Sequence, residues 1–171
     1  MRIKDEVVER HVLAVTVDNE AGILAKITGL FTARGYNIDS LTVADISEDH
    51  AVSRITIVTN GPPRVIDQIE AQLDRLVPVH GVVDLTESGP HVQRELALVK
   101  VAGKGENRIE AMRLADVYRA RVVDASTESF IFEITGSPEK IATFVALMRE
   151  VGLVEVGRTG VVAISRGPNA A

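Results

Sequence analysis

The stretch Asp18-Asn19-Glu20-Ala21-Gly22-Ile23-Leu24 holds the residue types best suited to binding a small molecule that carries both an anion and a cation. It leads from an apolar run into a segment with helical periodicity. Glycine at position 22 lets the backbone approach a ligand closely. The N–H groups of Gly22, Ile23 and Leu24 stand at the positive end of the coming helix, where a carboxylate gains about 0.3–2 kcal/mol from the dipole. Asn19 adds a side-chain amide whose oxygen accepts from an ammonium. The same residues also read as an ordinary helix start capped by Asp18 or Asn19, and from the residues alone both readings stand.

Other chemistry is poorly represented. His11, His50, His80 and His91 fall in different segments, with no pair four residues apart and no HExxH, so each reads as a surface or strand-end histidine and no metal site is expected. GxSxG is missing, and the carboxylates are scattered over helix faces and turns, so no catalytic residue is assigned. Gly103-Lys104-Gly105 resembles a fragment of a phosphate loop but lacks both GxxxxGK[ST] and GxGxxG; it reads as a strand-to-helix turn on whose amides an anion can rest.

Cysteine is absent, which excludes disulfides, thiolate-bound zinc, iron–sulfur clusters and a thiol nucleophile. Aromatic residues make up only 4%, tryptophan is absent and the net charge is −5, all of which argue against a nucleic-acid partner. The first ten residues contain no apolar signal-peptide core, and no run of about 18 apolar residues suggests a membrane span. A cytoplasmic location is expected.

These residues need a scaffold, and the patterning supplies one. Residues 11–17 read as a strand, and Ile23, Leu24, Ile27, Leu30 and Phe31 as a helix face ended by Arg34-Gly35. Residues 37–46 and 51–59 read as a hairpin. A second helix with Val65, Ile66, Ile69, Leu73 and Leu76 follows Gly61-Pro62-Pro63, and residues 79–86 read as a strand. The order βαββαβ is that of a ferredoxin-like unit. After the polar stretch near residues 87–94 the order repeats: a strand at 95–102, a helix at 106–119 carrying Ile109, Met112 and Val117, and strands at 121–127 and 129–135. A helix opened by Ser137-Pro138-Glu139 then buries Ile141, Phe144, Val145 and Met148. Strands at 153–157 and 160–165 close the chain, with an interruption expected at Gly157. The fold class is therefore α+β, as two βαββαβ domains: an N-terminal tail at 1–10, a domain at 11–86, a linker at 87–94, a second domain at 95–167 and a tail at 168–171.

The turn after the first strand resembles the effector loop of ACT domains, small amino-acid-sensing modules. Further segments resemble the small, regulatory subunits of acetolactate synthase (acetohydroxyacid synthase). They are Gly29-Leu30-Phe31, Arg34-Gly35-Tyr36-Asn37-Ile38, Ser40-Leu41-Thr42-Val43, Ser53-Arg54 with Thr56-Ile57, then His91-Val92, Arg94-Glu95, Leu98-Val99-Lys100-Val101, Gly160-Val161-Val162-Ala163 and Ser165-Arg166-Gly167. The resemblance covers about residues 10–167. It implies a chain with no catalysis of its own and no cofactor. Its partner would be the large catalytic subunit, which carries thiamine diphosphate, Mg and FAD and condenses two pyruvates, or pyruvate with 2-oxobutyrate, in branched-chain amino-acid biosynthesis. It implies activation of that subunit and feedback inhibition by valine, bound where the ACT domains of a homodimer meet. Asn19 and Gly22 would hold the effector from one chain, with the amides of Ile23 and Leu24 on its carboxylate. Asn37 of the neighbouring chain, at the start of the second strand, would take the ammonium, and Ile38 and Leu24 would shape an aliphatic wall.

Ala21 departs from the proline or serine that many ACT loops carry there. Residues 1–10 read either as a flexible tail or as an added contact with the partner, and the C-terminal half either as a contact with the catalytic subunit or as dimer support. A free-standing amino-acid sensor and a small ferredoxin-like enzyme are the competing classes.

Overall fold

The computed structural model describes residues 7–170. The elements in chain order are β1 (Glu9–Asp18), α1 (Ile23–Ala33), β2 (Ser40–Asp45), β3 (Val52–Gly61), α2 (Pro63–Leu73), β4 (Val79–Asp84), α3 (Leu85–Ser88), β5 (His91–Ala102), α4 (Glu106–Tyr118), β6 (Arg121–Ala125), β7 (Ser129–Gly136), α5 (Pro138–Glu150), β8 (Leu153–Arg158) and β9 (Val162–Ser165). They form two units, one ending at Val92 and resuming at Val161, the other spanning Gln93–Gly160. Each has the ferredoxin-like βαββαβ order, and no helix among the described residues is long and apolar enough to cross a membrane.

In the first unit the sheet order is β2-β3-β1-β4, all antiparallel. Alternation along β1 and β3 sends Leu13, Val15, Val17, Ile55 and Ile57 to one face, where they meet Ile23, Ile27 and Phe31 of α1 and Ile66, Ile69 and Leu73 of α2. Burying each such side chain contributes about 1.5–3 kcal/mol, which fixes both helices to that face. Val12, Ala14 and Val58 line the opposite face and pack with Leu85, Val161 and Ala163. The C-terminal segment is pinned there as a strap: the Val161 N–H donates to Ser40 Oγ at 2.8 Å, and Thr42 Oγ1 donates to the Val161 carbonyl at 2.6 Å.

In the second unit the order is β6-β7-β5-β8. Ala97, Val99 and Val101 lie opposite Ile134, Phe132 and Phe130 and beneath Ile141, Phe144, Val145 and Met148. Ser137 caps α5 through the Lys140 N–H, with Pro138 following it.

Several elements differ from expectation. Residues 9 and 10 already belong to β1, and residues 1–6 of the expected tail lie outside the described residues. The stretch read as a linker holds a helical turn capped by Asp84, whose Oδ1 accepts from the Thr86 N–H at 2.8 Å, and β5 starts at His91. Helix α4 buries Ala111 and Ala115 while Ile109 and Val117 are exposed. The small stripe seats α4 on its sheet, and Arg108 lies 3.8 Å over the Phe130 ring. Strand β8 runs through Gly157 without interruption, and Val161 onward belongs to the first unit, drawn there by its two side-chain hydrogen bonds and its apolar contacts.

Candidate functional site

The turn from β1 into α1 is tied to the β2–β3 connection. Asn19 donates its backbone N–H to the Ala51 carbonyl at 2.7 Å and its side-chain Nδ2 to the His50 carbonyl at 2.8 Å. Neither Asn19 nor Asp18 therefore caps the helix. The N-cap is Gly22 at φ 87°, and no side chain bonds to the helix N-terminus. The Ile23 N–H reaches the Glu20 carbonyl at 3.3 Å, which leaves the Leu24 and Ala25 N–H groups as the free donors. Ala25 thus offers a donor that sequence reading missed, one position beyond the amides expected to serve. The Ile23 side chain is core, whereas Leu24 is 40% exposed. The turn presents an open, uncapped helix end, a free Asn19 carbonyl oxygen and one accessible aliphatic side chain.

Asn37 lies outside β2, three residues before Ser40, and not at the start of a strand as expected. Its carbonyl accepts from Thr59 Oγ1 at 2.6 Å, and its Nδ2 donates to Asp39 Oδ1 at 2.6 Å. Asp39 also accepts from Asn60 Nδ2 and donates its N–H to the Val58 carbonyl. These bonds hold the loop against β3 and leave the Asn37 Oδ1 as its free acceptor. Ile38 is half-buried against the core. Asp39, which orients Asn37, carried no recognisable signal in the sequence.

One chain does not bring the two halves of this site together. Helix α1 has 11 residues, about 16 Å at 1.5 Å each, and separates the Gly22 end from the Asn37 end. Strands β1 and β2 both run antiparallel to β3, hence parallel to each other, so the 18–24 turn lies at the end of β2 and Asn37 before its beginning.

A second polar group lies in the same unit, with His11 and Asp84 buried and Glu87 exposed. His11, 1% exposed, places Nδ1 2.6 Å from Asp84 Oδ2, and His11, Asp84 and Glu87 offer ligand atoms within 4.8 Å of one another. Both Asp84 oxygens are engaged, one by His11 and one by the Thr86 N–H, while Thr86 Oγ1 accepts from the Val12 N–H. The group thus clamps β1 to the end of β4 and α3. Glu70 accepts from the Asp84 N–H at 3.0 Å, and its carboxyl is pushed above the usual range by burial and then by the Asp84 charge.

Residues 13–81 match the family described as an acetohydroxyacid synthase small subunit-like ACT domain, and residues 94–167 match the small subunit of acetolactate synthase. The first unit is thus an ACT domain. The probable acetolactate synthase small subunit of Archaeoglobus fulgidus is 45% identical over 158 residues, covering 92% of this chain and 98% of that protein. The isozyme 3 small subunit of Escherichia coli is 43% identical over 159 residues, covering 92% and 96%. The crystal structure of the small subunit from Thermotoga maritima superposes with a TM-score of 0.84 at 36% identity, covering 94% of this chain and 99% of that one. The chain belongs to the family of acetolactate synthase small subunits, and its ACT domain supports a regulatory role.

Proposed function

We propose that this chain activates a large catalytic subunit that forms acetolactate and makes it sensitive to valine, bound between the ACT domains of two copies. The observation that carries the reading is the separation of two complementary half-sites. The uncapped start of α1 suits a carboxylate, and the free side-chain Oδ1 atoms of Asn19 and Asn37 suit an ammonium. Among the described residues, strand β2 has a neighbour on one side only. Antiparallel pairing of two β2 edges sets the beginning of one strand beside the end of the other. Asn37 of one copy then faces the 18–24 turn of its partner. The effector carboxylate rests on the Leu24 and Ala25 amides beside Gly22, and Leu24 and Ile38 offer aliphatic contact to a branched side chain. Ile23 contributes by anchoring the helix start in the core.

Because the site is completed by two chains, effector binding favours one arrangement of subunits. Coupling of about 1–3 kcal/mol gives a 5- to 150-fold effect on a bound partner. Catalysis, with its thiamine diphosphate, Mg and FAD, resides in the large subunit, and the natural setting is the cytoplasm. The test is acetolactate formation by the cognate large subunit with and without this chain, under valine titration. Stimulation that valine reverses is the expected result. Stimulation indifferent to valine removes the effector, and no stimulation removes the partner.

A further inference from the structure

Residues 161–165 lie as a strap across the sheet face of the first unit opposite α1 and α2. Val161 and Ala163, 3% and 2% exposed, pack there with Val12, Ala14 and Val58. The first residue of the strap is also held by polar side chains. Ser40 and Thr42 are two apart on β2, so both point to this face, as does Val58 opposite Ser40. Ser40 Oγ accepts from the Val161 N–H at 2.8 Å, and Thr42 Oγ1 donates to the Val161 carbonyl at 2.6 Å. Both backbone polar groups of one residue are thus taken by side chains of one strand, ahead of β9, which begins at Val162. Alanine and valine at 40 and 42 would suit the apolar surroundings but would strip a buried N–H and C=O of these partners. Apolar contact holds the strap on the face without fixing its place along β2, because it has no direction. The two hydroxyl groups fix that place.

These hydroxyl groups adjoin the half-site assigned above to Asn37. Asn37 and Asp39 precede them on the same segment, and the Asp39 N–H donates to the carbonyl of Val58, the residue opposite Ser40. Just before the strap the chain is held in the second unit. The Thr159 N–H donates to the Leu96 carbonyl at 3.0 Å, and Thr159 Oγ1 accepts from the Leu96 N–H at 3.1 Å. Only Gly160 separates the two grips, at φ 82°, a conformation that favours glycine. At this residue the chain passes from the second unit to the first.

We propose that Ser40 and Thr42 are positioning residues that couple the effector site to the second unit: by gripping Val161 they carry a shift of the β2 edge into the strap and, through Gly160, to Thr159 and β5. The proposal rests on the reading that valine binds at that edge between two copies. An effector held across two copies fixes where β2 lies against its partner strand. Transmission from there needs an element that both ends bias, and the strap is gripped by β2 on one side and by β5, through Thr159, on the other.

The experiment compares valine binding with valine inhibition in full-length variants. Binding is measured by calorimetry on the small subunit alone, and inhibition by acetolactate formation with the cognate large subunit. Ser40→Ala and Thr42→Val, singly and together, should bind valine as the wild type does and still activate. In the double variant the ratio of rates without and with saturating valine should fall at least about fivefold, the worth of one net hydrogen bond. Thr42→Val is close to isosteric and should show part of that fall by itself, which decides the matter if the double variant fails to fold. Thr42→Ser, which keeps the hydroxyl, should be inhibited as the wild type is. Wild-type inhibition in Thr42→Val and in the double variant overturns the proposal and leaves the functional reading intact. A loss in Thr42→Ser equal to that in Thr42→Val assigns the effect to packing and also overturns it. Loss of valine binding by the small subunit alone in these variants places the hydroxyl groups in the effector site itself and overturns the coupling role. A wild-type chain that binds no valine overturns both the proposal and the functional reading.

Discussion

Gly22→Ala separates the backbone role of the α1 start from its proposed ligand role. Gly22 sits at φ +87°, and a Cβ built there meets nothing within 4 Å. The folding cost is therefore conformational alone: about 1–2 kcal/mol for an L-residue in the left-handed region, offset by about 0.4–1 kcal/mol from the stiffer unfolded chain. Urea denaturation should show a net loss of no more than about 1.6 kcal/mol. The open space that spares the fold is also where the proposed effector carboxylate would meet the Leu24 and Ala25 amides. Losing one charged hydrogen bond there is worth about 1.5–3 kcal/mol, so the valine concentration for half inhibition should rise about 10- to 150-fold. Gly105→Ala is the control. Gly105 has φ +59°, its added Cβ also meets nothing within 4 Å, and it precedes α4 in the other unit. That variant should lose stability without changing valine sensitivity. Wild-type inhibition in Gly22→Ala, or an equal shift in Gly105→Ala, would refute the reasoning.

Asn37→Ala should weaken valine inhibition and leave activation of the large subunit intact; equal sensitivity in acetolactate assays would remove Asn37 from the site. Glu95, 3% exposed, accepts from Arg158 Nε at 2.7 Å and Nη2 at 2.6 Å, so Arg158→Met strands a buried carboxylate and should cost about 3–5 kcal/mol in denaturant unfolding. Replacing both partners with Met and Leu should recover most of that loss. Glu70 has its carboxyl pushed above the ordinary 4.5, first by burial and then by Asp84. The folded state therefore binds more protons than the unfolded one between 4.5 and the raised value, and stability falls as pH rises through that window. Glu70→Gln, which still accepts from the Asp84 N–H, should be more stable than the wild type above the window and equal to it below; a difference independent of pH would count against this.

The strands and helices of the first unit were legible because their buried stripes repeat cleanly: Leu13, Val15 and Val17 at period two, and Ile23, Ile27 and Phe31 at helical spacing. Helix α4 was legible in place but not in face, since periodicity cannot show that Ala111 and Ala115 carry its packing while Ile109 is left exposed. The strap was misplaced because its anchors, Ser40 and Thr42, lie some 120 residues earlier, with chain separations of 121 and 119. Within the site, Gly22 and Asn19 stood out by type and spacing. That Asn19 turns to His50, leaving the helix uncapped, depends on a hairpin end that only the folded sheet brings near. Asp39 has no local signature: what distinguishes it is a partner, Asn60, brought to it by the fold.

The central claim is that each effector site takes Asn19 from one copy and Asn37 from another. Homodimers of Asn19→Ala and of Asn37→Ala should each lose most valine sensitivity. Unfolded together, refolded as a mixture and assayed with the large subunit, they should regain partial inhibition, because a mixed dimer has one site with both asparagines intact. A mixture no more sensitive than either parent would contradict the two-copy site.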